Sequence, residues 1–266
     1  MKKERLDVVL FEKGLCPSRE RAKTTIMSGL VYVNNQKAEK AGMMVESDAN
    51  IVVRDNGKSY VSRGGHKIEK ALDSFQIDPS GLCCLDIGAS TGGFTDCLLK
   101  RGARKVYSID VGYGQLAWTL RQDPRVVCME RTNIRYVTPE DLSDVPEFAV
   151  IDVSFISLKL VLPVVAKLLC DAGRIACLIK PQFEAGKGNV GKKGVVRDPK
   201  IHQQVLEAFV ENAHTTGFQV LDITFSPMKG PEGNIEFLGY LGKENSERME
   251  IDIKSVVEKA HLELDK

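Results

Sequence analysis

Beyond residue 80, short apolar runs alternate with longer stretches in which apolar positions recur every three or four residues. The short runs, bounded by glycine and polar turn residues, predict β-strands, and the longer stretches predict helices. Strands that alternate with helices favour an α/β fold, in which helices cover both faces of a largely parallel sheet. The predicted strands span residues 83–87, 105–110, 126–129, 148–152, 174–180, 219–225 and 235–240.

Before residue 60 the predicted elements are shorter. Apolar positions at helical spacing begin at Leu6 and predict a helix that ends at Gly14. Ser18 is a natural N-cap for a second helix, and Gly29 is suited to end it. These signals indicate two short helices at the start of the chain.

Two apolar runs, at residues 30–33 and 51–53, predict strands that complete a small N-terminal α+β domain. We therefore predict an N-terminal domain over residues 1–58, a linker over 59–62 and the larger α/β domain over 63–266. A length of 266 residues suits one large domain and one small one.

Composition excludes some classes of protein. The chain is 43% hydrophobic and 27% charged, which is typical of a globular protein, and its net charge is only +1. A nucleic-acid site therefore depends on local clusters of basic residues. The most apolar stretch, residues 148–166, is interrupted by Asp152, Lys159 and Pro163, so we predict no membrane-spanning segment.

The cysteines predict a reducing environment. The seven cysteines are scattered and include no Cys-x-x-Cys pair, so we expect no metal site. An odd number of cysteines fits reduced thiols in the cytoplasm. No long apolar run follows the first residues, so we predict no signal peptide and a cytoplasmic location. The sequence leaves the oligomeric state open.

A glycine-rich turn follows the strand at 83–87 and opens a helix, with the sequence Gly88-Ala-Ser-Thr-Gly-Gly. In such an arrangement, backbone amides and a helix N-terminus approach a polar cofactor closely. Asp110 closes the next strand, where a carboxylate can accept hydrogen bonds from a ribose diol. A nicotinamide dinucleotide would use that acid equally well, so Asp110 alone does not identify the cofactor.

Two features of the turn favour S-adenosylmethionine over a nicotinamide dinucleotide. The spacing is not Gly-x-Gly-x-x-Gly, and the acid Asp86 precedes the first glycine. The alternatives are a simple tight turn for the glycines, a helix cap for Asp110, and an ordinary turn for Asn133, which otherwise pairs with the adenine edge. The candidate cofactor-binding residues are Asp86, Gly88, Ser90, Gly92, Gly93, Asp110 and Asn133.

Basic residues are concentrated in the N-terminal domain. Arg19 and Lys23 lie one turn apart on the second predicted helix and share a flank beside its apolar stripe, whereas Arg21 points more nearly away. Such a flank can contact the phosphates of structured RNA without reading bases. The alternative is an ordinary solvated helix face.

Polar residues stand at or beside the ends of apolar strands in the larger domain. Asp152 and Lys180 each follow an apolar run, Glu236 interrupts the last one, and Lys67 lies where the linker ends and a helix starts. Open α/β sheets place their sites at the carboxyl ends of their strands. Taken singly, each residue is explained equally well by an ordinary salt bridge or surface charge.

The N-terminal segments Arg-Leu-Asp at 5–7, Ser-Arg-Glu-Arg-Ala at 18–22 and Gly-Leu-Val-Tyr-Val-Asn at 29–34 resemble the alpha-L RNA-binding fold. The resemblance covers residues 4 to about 58. It implies that this domain binds RNA, chiefly through its second helix. The RNA-binding residues it implies are Arg5, Ser18, Arg19, Arg21 and Lys23.

The whole chain resembles the TlyA (haemolysin A) family, in which an alpha-L domain precedes an FtsJ-like methyltransferase. The matching motifs are Val-Ser-Arg-Gly-Gly-His-Lys at 61–67, Gly-Ala-Ser-Thr-Gly-Gly-Phe-Thr-Asp at 88–96, Asp-Val-Gly-Tyr-Gly-Gln-Leu at 110–116 and Asp-Val-Ser-Phe-Ile-Ser at 152–157. The family fold implies a Rossmann-like sheet of seven strands with the last strand antiparallel. It also implies S-adenosylmethionine as cofactor, and ribosomal RNA or ribosomal subunits as partners.

The resemblance gives Lys67, Asp152, Lys180 and Glu236 a shared role, because they match the Lys-Asp-Lys-Glu tetrad of FtsJ-like ribose 2′-O-methyltransferases. It implies that Lys180 is the base, oriented by Asp152, while Lys67 and Glu236 position the ribose. Lys180 could instead hold the hydroxyl and stabilise the developing oxyanion. The competing functions are a non-catalytic ribosome assembly factor that binds RNA, a membrane-active haemolysin and a nicotinamide oxidoreductase.

Overall fold

The structure is a computed structural model that describes residues 3–16, 18–27, 29–34, 36–46, 49–53, 60–191, 193–230, 232–243 and 251–265, apart from the side chain of Lys187. The chain divides into two compact units, Met1–Gly64 and Gly65–Lys266. The predicted end of the N-terminal domain at residue 58 and the first linker residue, Ser59, lie outside the described residues.

The N-terminal unit is built from short elements. They are β1 (Lys3–Arg5), α1 (Leu6–Glu12), α2 (Arg19–Met27), β2 (Val31–Val33), β3 (Gln36–Lys37), β4 (Met44–Glu46) and β5 (Ile51–Val53). β1 pairs antiparallel with β4, and β2 lies between β3 and β5 in a second antiparallel sheet. Both predicted helices and both predicted strands are confirmed, whereas β1, β3 and β4, of two or three residues each, were missed.

The predicted helix ends are also confirmed. The hydroxyl of Ser18 accepts a hydrogen bond from the backbone N–H of Arg21 at 3.1 Å, which satisfies a free amide at the start of α2. Gly14 follows α1 with a φ of +68°, and Gly29 follows α2 with a φ of +72°. Glycine adopts this left-handed backbone at low steric cost, so it ends both helices.

The larger unit alternates strands and helices along the chain. Its elements are α3 (Gly64–Ser74), β6 (Cys83–Ile87), α4 (Gly93–Lys100), β7 (Lys105–Ile109), α5 (Trp118–Arg121), β8 (Val126–Met129), β9 (Phe148–Ile151), α6 (Leu158–Leu168), β10 (Arg174–Ile179), α7 (Pro181–Glu184), α8 (Pro199–Thr215), β11 (Phe218–Phe225), β12 (Phe237–Lys243) and α9 (Ile253–Leu264). α9 lies within the charged C-terminal stretch. No helix in the described parts of the chain has the length and apolar character needed to cross a membrane.

Among the described residues, seven strands form one sheet in the order β11-β12-β10-β9-β6-β7-β8. β12 is antiparallel to both of its neighbours, and the remaining pairs are parallel. The α/β fold and the antiparallel last strand are therefore confirmed. The strand order reverses direction beside β6, which leaves a crevice outside the carboxyl ends of β6 and β9, the usual place for a ligand site in such sheets.

Three predicted strands end one residue earlier than expected. The ladders stop at Ile109, Ile151 and Ile179, so the polar residue that follows each strand lies outside the paired region. The last strand begins at Phe237 and not at residue 235, which also leaves Glu236 just outside the ladder. These polar side chains therefore lie at one end of the strands, where the backbone leaves the sheet.

Candidate active site and basic surface

A cavity of about 460 Å³ opens at the carboxyl ends of the central strands. Its walls come from the turn after β6, the end of β7, the segment after β8 and the segment after β9. Of the candidate cofactor-binding residues, the cavity is lined by Gly88, Ser90, Asp110 and Asn133. The predicted active-site carboxylate Asp152 lines it as well, so two predicted sets of residues meet at one place.

Position 88, the first glycine of the turn, requires a residue without a side chain. Gly88 has a φ of +87°, and a Cβ at this position would collide with the carbonyl oxygen of Asp152. Ile87 and Ile151 pair in the β6–β9 ladder, so Gly88 and Asp152 occupy the next positions on adjacent strands. A residue without a side chain lets the two strand ends approach each other at the cavity.

Asp86 lies beneath the turn, is fully buried and does not line the cavity. One oxygen, Oδ2, accepts hydrogen bonds from the backbone N–H and the hydroxyl of Thr95, at 2.8 and 2.6 Å. Burial raises the pKa of Asp86 to about 7, and the hydrogen bonds from Thr95 act against that shift. Asp86 therefore ties the turn to the first residues of α4. Gly92 and Gly93 are likewise buried.

Asp110 is held rigidly at the cavity wall. Its Oδ2 accepts a hydrogen bond from the backbone N–H of Ser90, and its Oδ1 accepts one from Gly112, both at 2.7 Å. Each carboxylate oxygen has a second lone pair, so both can still accept a hydrogen bond from a ligand. Asn133 also has a structural partner, because its Oδ1 accepts from the backbone N–H of Arg135 at 3.1 Å.

Lys67 and Glu236 form a buried ion pair. The ammonium of Lys67, on α3, lies 2.5 Å from Oε2 of Glu236, which directly precedes β12. Only 6% of the Lys67 side chain and 1% of the Glu236 side chain is exposed. Within the described residues, Oε1 of Glu236 has no hydrogen-bond partner although it is buried.

Lys180 and Asp152 form a second, more accessible pair. Nζ of Lys180 lies 2.5 Å from Oδ1 of Asp152 and donates a hydrogen bond to the hydroxyl of Ser154 at 3.0 Å. Asp152 and Ser154 both line the cavity. The Lys180 ammonium is therefore held by two residues of the cavity wall.

The strand register brings the two ion pairs together. In the antiparallel β10–β12 ladder the last pair is Ile179 and Phe237. Lys180 and Glu236 occupy the next position on each strand. The structure therefore gathers Lys67, Asp152, Lys180 and Glu236 at one end of the strands.

Sequence reasoning missed two residues beside these pairs, Ser154 and Phe155. Phe155 has 91% of its surface exposed and a φ of +64°, and its ring lies 5.0 Å from that of Phe183, centroid to centroid. A non-glycine residue with a positive φ and an exposed ring is uncommon and marks a functional candidate. Both residues belong to the Asp-Val-Ser-Phe motif, and this motif could have identified them from the sequence.

In the N-terminal unit, a buried carboxylate organises two of the candidate RNA-binding residues. Asp7, missed by the sequence reasoning, accepts a hydrogen bond from Arg5 at 2.9 Å and one from Arg19 at 3.1 Å. The Arg5 hydrogen bond, helped by Arg19, lowers the pKa of Asp7. Arg5, Arg19 and Lys23 are exposed. Arg21 donates to the carbonyl of Tyr60 at 3.5 Å.

The chain matches known proteins over most of its length. Residues 60–243 match the FtsJ-like methyltransferase family, and residues 4–51 match the S4 domain. YqxC of Bacillus subtilis is 52% identical over 269 residues, which cover 99% of this chain and 96% of YqxC. The 16S/23S rRNA (cytidine-2′-O)-methyltransferase TlyA of Mycobacterium tuberculosis is 45% identical over 241 residues, or 90% of each chain.

A solved structure is similar over the whole length. The structure of a candidate hemolysin from Streptococcus thermophilus is 47% identical, with a TM-score of 0.79, and covers 100% of this chain and 98% of the other. The chain therefore belongs to the TlyA/haemolysin A family, in which an S4 domain precedes an FtsJ-like methyltransferase domain.

Proposed function

We propose that this protein transfers the methyl group of S-adenosylmethionine to a ribose 2′-hydroxyl of ribosomal RNA. The proposal rests on one observation. Asp152 lines the cavity and pairs with Lys180, and the Lys67–Glu236 pair lies beside them. The family supplies methyltransferase chemistry, and the rRNA ribose methyltransferase named among its relatives supports the choice of substrate.

The cavity residues fit the cofactor. A volume of about 460 Å³ is within the range of small-molecule sites, about 300–1,000 Å³. We infer that Asp110 binds the ribose hydroxyls of S-adenosylmethionine, and that Ile109 and Ile134, which also line the cavity, contact the adenine. When bound, this cofactor supplies an electrophilic methyl group on a sulfonium.

Lys180 is the residue that we assign to the proton of the 2′-hydroxyl. In its neutral form Nζ can accept that proton, and the bound cofactor would supply its methyl group to the ribose oxygen and leave as the neutral thioether. Its partners Asp152 and Ser154 fix Nζ beside the cavity, so little rearrangement is needed to reach the reacting oxygen.

Lys67 and Glu236 are assigned a positioning role. Their pair is almost fully buried, and neither residue lines the cavity. In the described part of the chain, Lys67 therefore has no partner in the cavity wall, whereas both partners of Lys180, Asp152 and Ser154, line the cavity. We therefore propose that this pair fixes the edge of the sheet against which the substrate ribose lies.

The exposed residues of the S4 domain are proposed to bind the RNA backbone. Arg5, Arg19 and Lys23 present positive charge, and Asp7 orients the two arginines. Such contacts supply affinity and register without reading sequence. The N-cap Ser18 and the neighbouring Arg21 complete the proposed surface.

The test of this function is methyl transfer from labelled S-adenosylmethionine to ribosomal subunits and to purified ribosomal RNA. We expect Lys180→Ala to lower kcat at least about 100-fold, the lower end of the range for a general base. Lys167→Ala, which removes an exposed lysine of α6, is the matched control and should keep full activity. Full activity in Lys180→Ala would overturn the assignment of the base.

A further inference from the structure

The C-terminal helix α9 is joined to the active-site edge by a chain of hydrogen bonds. Nε2 of His261, on α9, lies 2.9 Å from Nδ1 of His202, on α8. Nε2 of His202 lies 3.1 Å from the carbonyl oxygen of Val196. The fully buried His202 ring also packs edge-on against Phe237, with ring centroids 5.5 Å apart. Phe237 directly follows Glu236, so His202 contacts the residue beside the active-site carboxylate.

Asn234 extends this chain to the turn in front of Glu236. Its buried side chain accepts a hydrogen bond from Val196 N and donates one to Gly194 O, both at 2.9 Å. The carbonyl of Asn234 accepts a hydrogen bond from Gly230 N at 2.8 Å. A Cβ on Gly230 would lie 2.5 Å from Oε1 of Glu236. The turn that Asn234 closes therefore lies directly against the carboxylate of Glu236.

The hydrogen-bond partners limit which ring nitrogens of the two histidines can donate. A carbonyl oxygen can only accept, so His202 donates from Nε2 to Val196, and in a neutral His202 ring Nδ1 is left as an acceptor. His261 must then donate from Nε2. Its Nδ1 lies 2.7 Å from Oδ2 of Asp265, which also accepts. His261 is therefore doubly protonated and positively charged in this arrangement.

The charges around the two rings support this assignment. Asp265 balances the charge of His261 and also lies 2.7 Å from the ammonium of Lys229. The hydrogen bond from Lys229, with help from His261, lowers the pKa of Asp265, so Asp265 is ionised. Burial lowers the pKa of His202 to about 4, and the charge of His261 acts in the same direction. His202 is therefore the neutral member of the pair.

Three further charged groups face these rings. The charge of Asp198 acts on His202 in the direction opposite to burial. A second cavity, also of about 460 Å³ but separate from the cofactor cavity, is lined by Arg197 and Glu232 together with His261, Lys229 and Asp265. The positive charges of Arg197 and Lys229 therefore oppose a positive charge on His261. The carboxylates of Asp198, Glu232 and Asp265 favour it.

We propose that His261, His202 and Asn234 are positioning residues that hold Glu236 for methyl transfer, and that they do so only while His261 is doubly protonated. The effect on rate rests on the proposed function. Loss of one proton from His261 leaves it able to donate to only one of its two partners, which weakens the link from α9 to His202 and to the turn beside Glu236.

The first arm of the test follows the full-length protein by NMR as the pH is raised. We expect the backbone amides of Glu236 and Phe237 to shift with the same midpoint as the ring of His261. In His261→Arg the shift should disappear, because arginine keeps its charge and donates to both partners. His214→Ala, on α8, is the matched control and should keep the shift.

The second arm measures methyl transfer. We expect His261→Ala to lower kcat about 10- to 100-fold with little change in KM for S-adenosylmethionine, as a misplaced group does. His214→Ala should keep the wild-type kcat. Equal kcat values in these two variants, or amides of Glu236 and Phe237 that do not follow the titration of His261, would overturn the inference.

The two arms separate this inference from the proposed function. If the wild-type protein methylates no ribosomal RNA, the proposed function fails and the NMR titration alone decides whether α9 controls Glu236. That titration needs no substitution, so a variant that fails to fold does not prevent the decision. Matching midpoints would support the inference, and independent midpoints would overturn it.

Discussion

At the scale of single residues, the two lysines of the proposed active site have different surroundings. Lys67 is buried with Glu236, whereas Lys180 contacts Asp152 and Ser154, which line the cavity. A buried ion pair contributes little net stability while intact, but removal of one member leaves the other charge buried and unpaired. The two pairs should therefore respond differently to substitution.

Glu236→Ala should destabilise the protein strongly because it leaves the Lys67 ammonium buried without a counter-charge. We expect the free energy of unfolding to fall by about 3–5 kcal/mol, measured by urea denaturation. Lys180→Ala is the comparison, and it should remove activity with a much smaller loss of stability. Equal losses of stability in the two variants would contradict this division of roles.

Asp86 should make stability depend on pH. Because burial raises its folded-state pKa to about 7, above the value of about 3.9 for an unfolded aspartate, its contribution to stability is full in acid and is lost as the pH rises towards 7. Between pH 5 and 8, wild type should lose more unfolding free energy than Asp86→Asn by on the order of 1–3 kcal/mol.

The control for this prediction is Asp171→Asn, which removes an exposed carboxylate. Its unfolding free energy should follow the wild-type pH dependence. Parallel curves for Asp86→Asn and wild type would show that Asp86 ionises normally in the folded protein.

Several contacts in the proposed functional regions depend on residues that are distant in sequence. Asp7 was not singled out because its importance depends on Arg5 and on Arg19, which lies twelve residues away. Asn234 is buried through contacts with Val196 and Gly194, far from it in sequence. Periodicity and motif spacing report local structure, so they cannot reveal such partners.

At the scale of elements, the turn between β6 and α4 depends on a close approach of two backbones. Gly88→Ala would place a Cβ against the carbonyl oxygen of Asp152 and would also strain a φ of +87°. We expect this variant to fold with reduced stability and to lose affinity for S-adenosylmethionine, as measured by calorimetry.

Gly81→Ala is the matched control. Gly81 has a φ of +74°, but no atom lies within 4 Å of the place where its Cβ would stand. It should therefore cost only the strain of the left-handed backbone, about 1–2 kcal/mol, and keep its cofactor affinity. Similar cofactor affinities in the two variants would contradict a specific role for the contact between Gly88 and Asp152.

The central strands were predictable because their apolar runs are buried on both sides. β6 has the predicted limits, as does the partly buried edge strand β8, and β7, β9 and β10 differ by the one polar residue at their ends. The shortest strands of the N-terminal unit were not predictable, because two or three residues show no alternation. The number of strands in the sheet and the antiparallel last strand came from the family resemblance, since periodicity does not specify neighbours.

At the scale of the whole molecule, the chain combines a unit with exposed basic residues and a unit with a cofactor cavity. The S4 and FtsJ-like domains together explain why a net charge of only +1 is compatible with RNA binding. We propose that the charge that matters is local, on Arg5, Arg19 and Lys23. Composition alone left this function open, and the resemblance of the motifs identified it.

The glycine turn alone was compatible with several cofactors and several classes of enzyme. The four residues Lys67, Asp152, Lys180 and Glu236 gained their meaning from the resemblance, and the structure shows that they form two ion pairs at one edge of the sheet. The chemical product formed by these residues is therefore the most direct evidence of the function of the chain.

The most direct test identifies that product. Ribosomal RNA is incubated with S-adenosylmethionine and either the wild-type protein or Lys180→Ala, then digested to nucleosides and analysed by mass spectrometry. We predict a 2′-O-methylated nucleoside with the wild-type protein and, over the same short incubation, at least about 100-fold less of it with Lys180→Ala. A methyl group on a base, or the same yield of methylated nucleoside from both proteins, would contradict the account.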